Sequence, residues 1–156
     1  MNLQVVHADT RLSALEDFFR EMKWGFQYMT QENTLRAGCR GRHGTWICFA
    51  RVNENGTGLT LQIALGLCVS PFLHTLVQDY LARINCLLPH SIFTLDVHTG
   101  DIRLSSVLAC FGNTNTDTVS DLVLENVGTV DRYFTGLMAV IYGGLSPDQA
   151  LTLSIS

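Results

Sequence analysis

The segments SPFLHTLVQDYLARIN at residues 70–85 and IFTLDVHTGDIRL at residues 92–104 decide the fold that this sequence predicts. In the first segment, apolar residues recur at every third or fourth position, which is typical of a helix with one apolar face. Ser70 suits the capping position, and Pro71 suits the first helical position, where its missing N–H costs nothing. The predicted apolar face consists of Phe72, Leu73, Leu76, Val77, Tyr80, Leu81 and Ile84. Pro89 disfavours helix, so we expect the helix to end shortly before it.

The second segment alternates between apolar and polar residues and predicts a β-hairpin. Phe93, Leu95 and Val97 are expected to share one face, with the polar residues between them on the other. Gly100 is able to take the left-handed backbone conformation of a tight turn, and the alternation resumes at Ile102. At the centre of the chain, one buried helix therefore leads into one hairpin.

One helix and four strands are predicted before the central helix. The helix covers about residues 9–22, with its apolar side on Leu12, Leu15, Phe18, Phe19 and Met22. The strands cover about residues 26–31, 35–40, 45–52 and 58–65, and Asn55-Gly56 is a strong hairpin-turn signal. Because the connections are short, these strands are expected to be antiparallel neighbours.

A long helix is predicted for residues 117–142, ended by Gly143-Gly144, and a last helical turn follows Ser146-Pro147. Its inner stripe consists of Val119, Val123, Val130, Phe134, Leu137 and Ile141. Its outer side carries the small residues Gly128, Thr135, Gly136 and Ala139, which suit either a helix contact in a dimer or simple tolerance. The order α-β-β-β-β-α-β-β-α predicts one α+β domain over residues 1–156, a two-layer fold with an antiparallel sheet packed by helices.

Composition limits the classes of function. Hydrophobic residues make up 47% of the chain and charged residues 15%, which is enough for a core and too apolar for disorder. No run of about 18 apolar residues is present, so no membrane partner is expected. The start of the chain lacks the features of a signal peptide, so a cytoplasmic location is expected. A net charge of −4 argues against a nucleic-acid partner.

No pattern of reactive side chains predicts catalysis, a metal or a cofactor. The cysteines are Cys39, Cys48, Cys68, Cys86 and Cys110, an odd number without a C-x-x-C pair, and most lie among apolar residues typical of a core. Apolar surroundings are expected to raise the thiol pKa of Cys48 and Cys110. Cys39 and His43 are four residues apart, but further metal ligands are not nearby. Asp96 and Asp101 are expected to be solvated turn residues.

A surface on two predicted strands is the more specific signal. Arg36 and Arg40 share the outward side of one strand, and Ile47, Phe49 and Arg51 share that side if the next strand pairs with it. Such a patch fits a protein or peptide partner with an apolar and acidic segment. The alternative is that a helix covers the two apolar residues and the arginines only surround the core.

Several short motifs resemble the YbjN family, whose members are described as proposed bacterial sensory transduction regulators. These motifs are Arg83-Ile84-Asn85, Phe93-x-Leu95-Asp96, Gly100-Asp101-Ile102-Arg103, Val130-Asp131-Arg132-Tyr133-Phe134 and Gly143-Gly144-Leu145-Ser146-Pro147. The loop at residues 86–91 departs from the glycine-containing loop of that family. The resemblance covers about residues 10–151 and implies a fold similar to type III secretion chaperones, often dimeric. It carries over no catalytic residue.

We therefore expect a non-enzymatic, cytoplasmic, chaperone-like or regulatory domain that forms homodimers and binds a protein or peptide. Its partner is expected on an exposed sheet face or on a strand edge. The alternative is a small enzyme or ligand-binding domain with a cleft near the hairpin at residues 92–104. A third interpretation is a purely structural subunit. A deep pocket with converging His, Cys or Asp side chains favours the enzyme, and a flat apolar patch favours the binding domain.

Overall fold

Helices and strands follow one another nearly in the predicted order in a computed structural model, which describes residues 10–29, 32–53, 58–109 and 116–156. The helices are α1 (Thr10–Met22), α2 (His74–Asn85), α3 (Thr116–Tyr142) and α4 (Pro147–Ile155). The strands are β1 (Phe26–Met29), β2 (Thr34–Arg40), β3 (Thr45–Val52), β4 (Gly58–Ala64), β5 (Ser91–Leu95) and β6 (Ile102–Ala109). The predicted α+β class is confirmed, and the last helical turn is a complete helix, α4. The predicted turn at Asn55-Gly56 lies outside the described residues.

The strands form one antiparallel sheet in the order β1-β2-β3-β4-β6-β5. Sequential strands are neighbours except at one place, where β6 lies between β4 and β5. The hairpin of β5 and β6 therefore ends the sheet, with β5 as its edge strand. Through β6, the second half of the chain pairs with the first half.

Helices cover one face of this sheet. The buried strand residues on that face include Leu35, Ala37, Cys39, Trp46, Cys48, Ala50, Leu59, Leu61, Ile63, Phe93, Ile102 and Leu104. Phe19 of α1 lies 6.0 Å from Phe26 between ring centroids, and Phe134 of α3 lies 5.5 Å from Trp46. The alternating burial along the strands and these aromatic contacts define a two-layer fold, helices on sheet.

The central helix begins later than the sequence predicts. A single 3₁₀ turn, Pro71–Leu73, precedes α2, and the Ser70 side chain makes no capping hydrogen bond. The buried residues of α2 are Val77, Tyr80, Leu81 and Ile84. Phe72 is 95% exposed and Leu76 is 43% exposed, so assigning them to the buried face was wrong. The 3₁₀ turn has three residues per turn, which shifts the side chains before α2 away from the helical periodicity.

The turn of the β5–β6 hairpin is held by a side chain. The Asp96 carboxylate accepts hydrogen bonds from the backbone N–H of His98 at 2.8 Å and of Thr99 at 3.4 Å. These donors, His98 first, lower the pKa of the Asp96 carboxyl below its usual value. Because β5 ends at Leu95, Val97 lies in this turn and is exposed, so its predicted place on the apolar face was wrong.

Gly100 and Asp101 attach the hairpin to the segment before α2. Gly100 has a φ of +78°, and a Cβ there would lie 2.6 Å from the backbone N of Val69, so no other residue fits without a shift. Asp101 accepts hydrogen bonds from the backbone N–H of Leu67 at 2.9 Å and of Ile102 at 2.8 Å. Asp101 is half-buried and joins two segments of the chain, so the prediction of a solvated turn residue was wrong.

Asp131 attaches α3 to the turn between β2 and β3. Its two carboxylate oxygens accept hydrogen bonds from the backbone N–H of Arg42 at 2.8 Å and of His43 at 2.9 Å. The carboxylate is nearly buried, and the His43 ring lies 3.5 Å away. One helix side chain therefore satisfies two backbone donors of a turn that is 88 residues away in sequence.

We predict that Asp131→Asn lowers the free energy of unfolding by about 1–3 kcal/mol, because one N–H loses its charged acceptor. Asp121→Asn is the matched control, since Asp121 is an exposed residue of the same helix. Urea denaturation measures both variants. Equal stability of the two variants would contradict the anchoring role of Asp131.

Helix α4 packs against α2 and α3 at a position without a side chain. The Tyr80 hydroxyl donates to the backbone carbonyl of Tyr133 at 2.9 Å and contacts the Ser154 hydroxyl at 2.8 Å. A Cβ at Gly136 would collide with both hydroxyl groups and would lie 2.8 Å from the Ala150 carbonyl oxygen. Gly136 is therefore buried inside the chain, and its predicted place on the outer side of the long helix was wrong.

Substitution of two α3 glycines by alanine is expected to change the stability of the fold in opposite directions. Gly136→Ala destabilises the fold by about 1–3 kcal/mol, because the added methyl group overpacks the junction of the three helices. Gly128→Ala stabilises it by up to about 1 kcal/mol, since a Cβ there meets nothing within 4 Å and alanine favours helix. Thermal unfolding of both variants checks the sign; a stabilising Gly136→Ala would disprove the close packing.

Candidate functional site

The second face of the sheet, here called the open face, carries all five residues that the sequence predicts as a binding surface. In the pairing of β2 with β3, Arg36 lies opposite Phe49, Gly38 opposite Ile47, Thr34 opposite Arg51 and Arg40 opposite Thr45. Ile47 and Phe49 are half-buried, and Arg51 and Arg40 are exposed. The structure thus brings the five residues together, while their role in binding stays a prediction.

Nothing in the described helices covers this face. A Cβ built on Gly38, which points to the open face between Arg36 and Arg40, meets no atom within 4 Å. The aromatic contacts of α1 and α3 reach the opposite face, at Phe26, Trp46 and Phe93. For the described part of the chain, the alternative in which a helix covers Ile47 and Phe49 is therefore wrong.

Arg103 of β6 lies over the ring of Phe49, at 5.4 Å from the guanidinium carbon to the ring centroid. Its Nη1 donates to the Gln62 side-chain oxygen at 3.2 Å, and the Gln62 amide donates to the Ser105 hydroxyl at 3.1 Å. The cation is attracted by the face of the ring, and the hydrogen bonds keep it there. Phe49 therefore stands on the open face with its position held by neighbours from β4 and β6.

Sequence reasoning missed Arg103 and the apolar residues Ile92 and Val107. Alternation within 102–104 already indicates that Arg103 points away from its apolar neighbours. Its place beside Phe49 depends on the pairing of β4 with β6, which no local pattern specifies. Ile92 and Val107 are 50% and 62% exposed, and the register puts both on the open face. The apolar part of this face is thus larger than predicted.

The open face contains a groove that is lined by residues of five strands, β1, β2, β3, β4 and β6. Its lining consists of Met29, Glu32, Thr34, Phe49, Arg51, Thr60, Gln62 and Arg103. Six of these eight residues are polar or charged, and Arg103 lies over the Phe49 ring within this lining. The arrangement offers apolar contact and hydrogen-bond donors to a bound segment.

The charged residues on the described strands of the open face are all positive. Four of the ten Lys and Arg residues of the chain point to it: Arg36, Arg40, Arg51 and Arg103. None of the described strand residues on this face is Asp or Glu, although the chain has 14 of them. Glu32, in the turn before β2, also lines the groove, and Asp101 lies 3.9 Å from Arg103. The face is therefore basic on a molecule whose net charge is −4.

The buried thiols are poor nucleophiles. Burial raises the pKa of the Cys39 thiol to about 11, and its Sγ donates to the Trp46 carbonyl at 3.4 Å. Burial also raises the pKa of Cys48 well above its usual value, as the sequence predicts. His43 lies in an exposed turn beside Asp131, so it forms no pair with the buried Cys39.

Cys68 and Cys86 are exposed, so the prediction that most cysteines are core residues was wrong for these two, and Cys110 lies outside the described residues. Within the ranges that the structure describes, no three His, Cys, Asp or Glu side chains form a group that is able to hold a metal ion. In the same ranges, no helix combines the length and the apolar character needed to cross a membrane.

The predicted cleft at the hairpin is an open depression along β5. It is lined by Pro89, His90, Ser91, Ile92, Ser105, Ser106 and Val107. His90 is the one titratable side chain in this lining, and a cluster of converging His, Cys and Asp side chains is not found there.

We expect thiol reagents to separate the cysteines into two classes. Cys68 and Cys86 react quickly with a maleimide near neutral pH, because they are exposed. Cys39 and Cys48 react only as the protein unfolds, because burial hides the sulfur and disfavours the thiolate. Mass spectrometry of digested, time-quenched samples follows each residue separately, and labelling of Cys39 as fast as that of Cys68 would refute this assignment.

These features define a class of protein: a two-layer α+β domain whose antiparallel sheet is covered by helices on one face and open on the other. The crystal structure of YbjN, a proposed transcription regulator from E. coli, has a similar fold, with a TM-score of 0.56 and 13% sequence identity. The match covers 85% of this chain and 90% of that chain. The predicted YbjN-like fold is thus confirmed. No protein-family model and no curated protein matches the sequence.

Proposed function

We propose that this protein is a non-enzymatic binding domain with a chaperone-like or regulatory role, and that its open face holds a protein or peptide partner. One observation carries the proposal. Ile47 and Phe49 stand on a sheet face that the described helices leave uncovered, among the arginines Arg36, Arg51 and Arg103.

This combination of side chains is suited to recognition. Aromatic residues and arginine are enriched where proteins contact one another, because they bury a large area and still offer directed hydrogen bonds. Phe49 is held in place by Arg103, so little side-chain entropy is lost when a partner covers it. Strands β1 and β5, at the edges of the sheet, are a second route, through added strands.

Other observations support a role in binding. The solved structure with a similar fold is that of a proposed transcription regulator, and a regulatory role for this chain agrees with that description. The raised thiol pKa values of Cys39 and Cys48 agree with a role outside catalysis. A homodimer and a cytoplasmic location belong to the same proposal. Gly128 and Thr135 are the exposed small residues of α3 on which a dimer contact would rely.

The test combines one substitution with cross-linking in the cells that encode the protein. Phe49→Glu places a charge in the centre of the open face, whereas Leu124→Glu places the same charge on an exposed apolar residue of α3. We expect the partners recovered with the wild-type chain to be recovered equally with Leu124→Glu and to be lost, by about tenfold or more, with Phe49→Glu.

A photo-reactive amino acid at Ile47 then identifies which partner segment touches the open face. Circular dichroism and thermal unfolding verify that each variant is folded. If a folded Phe49→Glu protein retains the same partners at the same strength, the open face is not the binding surface and the proposal fails.

A further inference from the structure

We infer that the open face selects an acidic, amphipathic peptide segment, in which carboxylates pair with Arg36 and Arg51 and an apolar side chain packs against Phe49. This inference rests on the proposed function, and it specifies the chemistry of the partner.

Two helix arginines pair with carboxylates of their own helix, whereas Arg132 of α3 lies over the Tyr133 ring. On the helices, Arg20 contacts Glu16 and Asp17, and Arg83 contacts Asp79 at 2.9 Å. On the open face, no described acidic side chain pairs with Arg36, Arg40 or Arg51. Of the described acidic residues, Glu32 lines the same groove as Arg51, and Asp101 lies 3.9 Å from Arg103. Carboxylates of a partner match the fork geometry of the guanidinium donors.

The positions of these groups specify a pattern. Arg36 lies directly across from Phe49 on the neighbouring strand, and Arg51 follows two residues later on the same strand, about 7 Å away. Arg103 covers part of the ring from the side of β4. Positively charged side chains therefore surround the apolar ring of Phe49 on three sides. A segment in which acidic residues flank an apolar residue is complementary to this arrangement.

Two other occupants fit less well. Phe49 is the one aromatic ring on the open-face side of the described strands, and Arg103 already covers it, whereas single-stranded nucleic acid is bound by stacking on several aromatic rings. A second copy docked face to face would place arginines against arginines, because a two-fold contact uses the same patch twice.

The experiment selects binders from a library of random peptides displayed on phage, with the full-length wild-type protein immobilised. Selected peptides are then synthesised, and their dissociation constants are measured with four proteins. These are the wild type, Phe49→Glu, the double variant Arg36→Gln/Arg51→Gln, and Arg132→Gln as a control that removes an exposed arginine of α3.

We expect the selected peptides to be rich in Asp and Glu next to an apolar residue. The double variant weakens the binding of these peptides by about tenfold or more, and Arg132→Gln leaves their dissociation constants unchanged. Raising the salt concentration from about 50 mM to about 500 mM also weakens peptide binding, because salt screens exposed charge pairs. The double variant is checked for folding by thermal unfolding.

Results that contradict only this inference are distinguishable from results that also contradict the proposed function. Peptides that depend on Phe49 but are not acidic, or that ignore the double substitution, overturn this inference and leave the proposed function standing. Peptides that bind Phe49→Glu unchanged, or an absence of selected peptides, contradict both. A fluorescent single-stranded oligonucleotide of random sequence that binds more tightly than the peptides, and loses binding in the double variant, shows a nucleic-acid site instead and overturns the inference.

Discussion

The packing of α3 on the sheet is the interaction on which the other features depend. Phe134 packs against Trp46 of β3 with the two rings tilted, and Tyr133 contacts Phe93 of β5 edge to face, so one helix reaches both halves of the sheet. Asp131, on the same helix, binds the backbone of the β2–β3 turn. These contacts determine which face of the sheet is buried under the helices. Since side chains alternate along a strand, they also determine which residues remain on the other face.

A second set of polar contacts joins the helices that cover that face to one another. The Tyr80 hydroxyl joins α2 to the backbone of α3 and to α4, at the point where Gly136 lets the helices approach. A buried hydroxyl with satisfied partners costs little, whereas one without them is expensive, so the geometry of the three helices is closely constrained. The same glycine that suggested a dimer contact in the sequence thus serves the packing of a single chain.

The open face is the consequence of this one-sided cover. Ile47 and Phe49 are neighbours in sequence of the buried Trp46, Cys48 and Ala50, and they face the other way because the strand alternates. Arg36 and Arg103 flank Phe49 from two sides, so charged groups border the apolar centre of this face and keep the surface hydrated. Among the described residues, the acidic side chains lie on the helices and in turns and loops, Glu32 among them, so the strands of the open face carry only positive charge. Charge separation of this kind orients an approaching partner and favours one sign of charge at the binding surface.

The sequence by itself determined the elements, because periodicity and turn residues are local. The bounds of β3, the positive φ of Gly100 and the shared face of Arg36, Phe49 and Arg51 all follow from short-range pattern. It misplaced Phe72 and Gly136, whose surroundings depend on a 3₁₀ turn and on α4. Only the tertiary structure decided that β6 pairs with β4, that Arg103 covers Phe49, and that the helices leave this face open. Those outcomes join residues about 40 or more positions apart, and no local preference specifies which distant strand or helix completes the pairing.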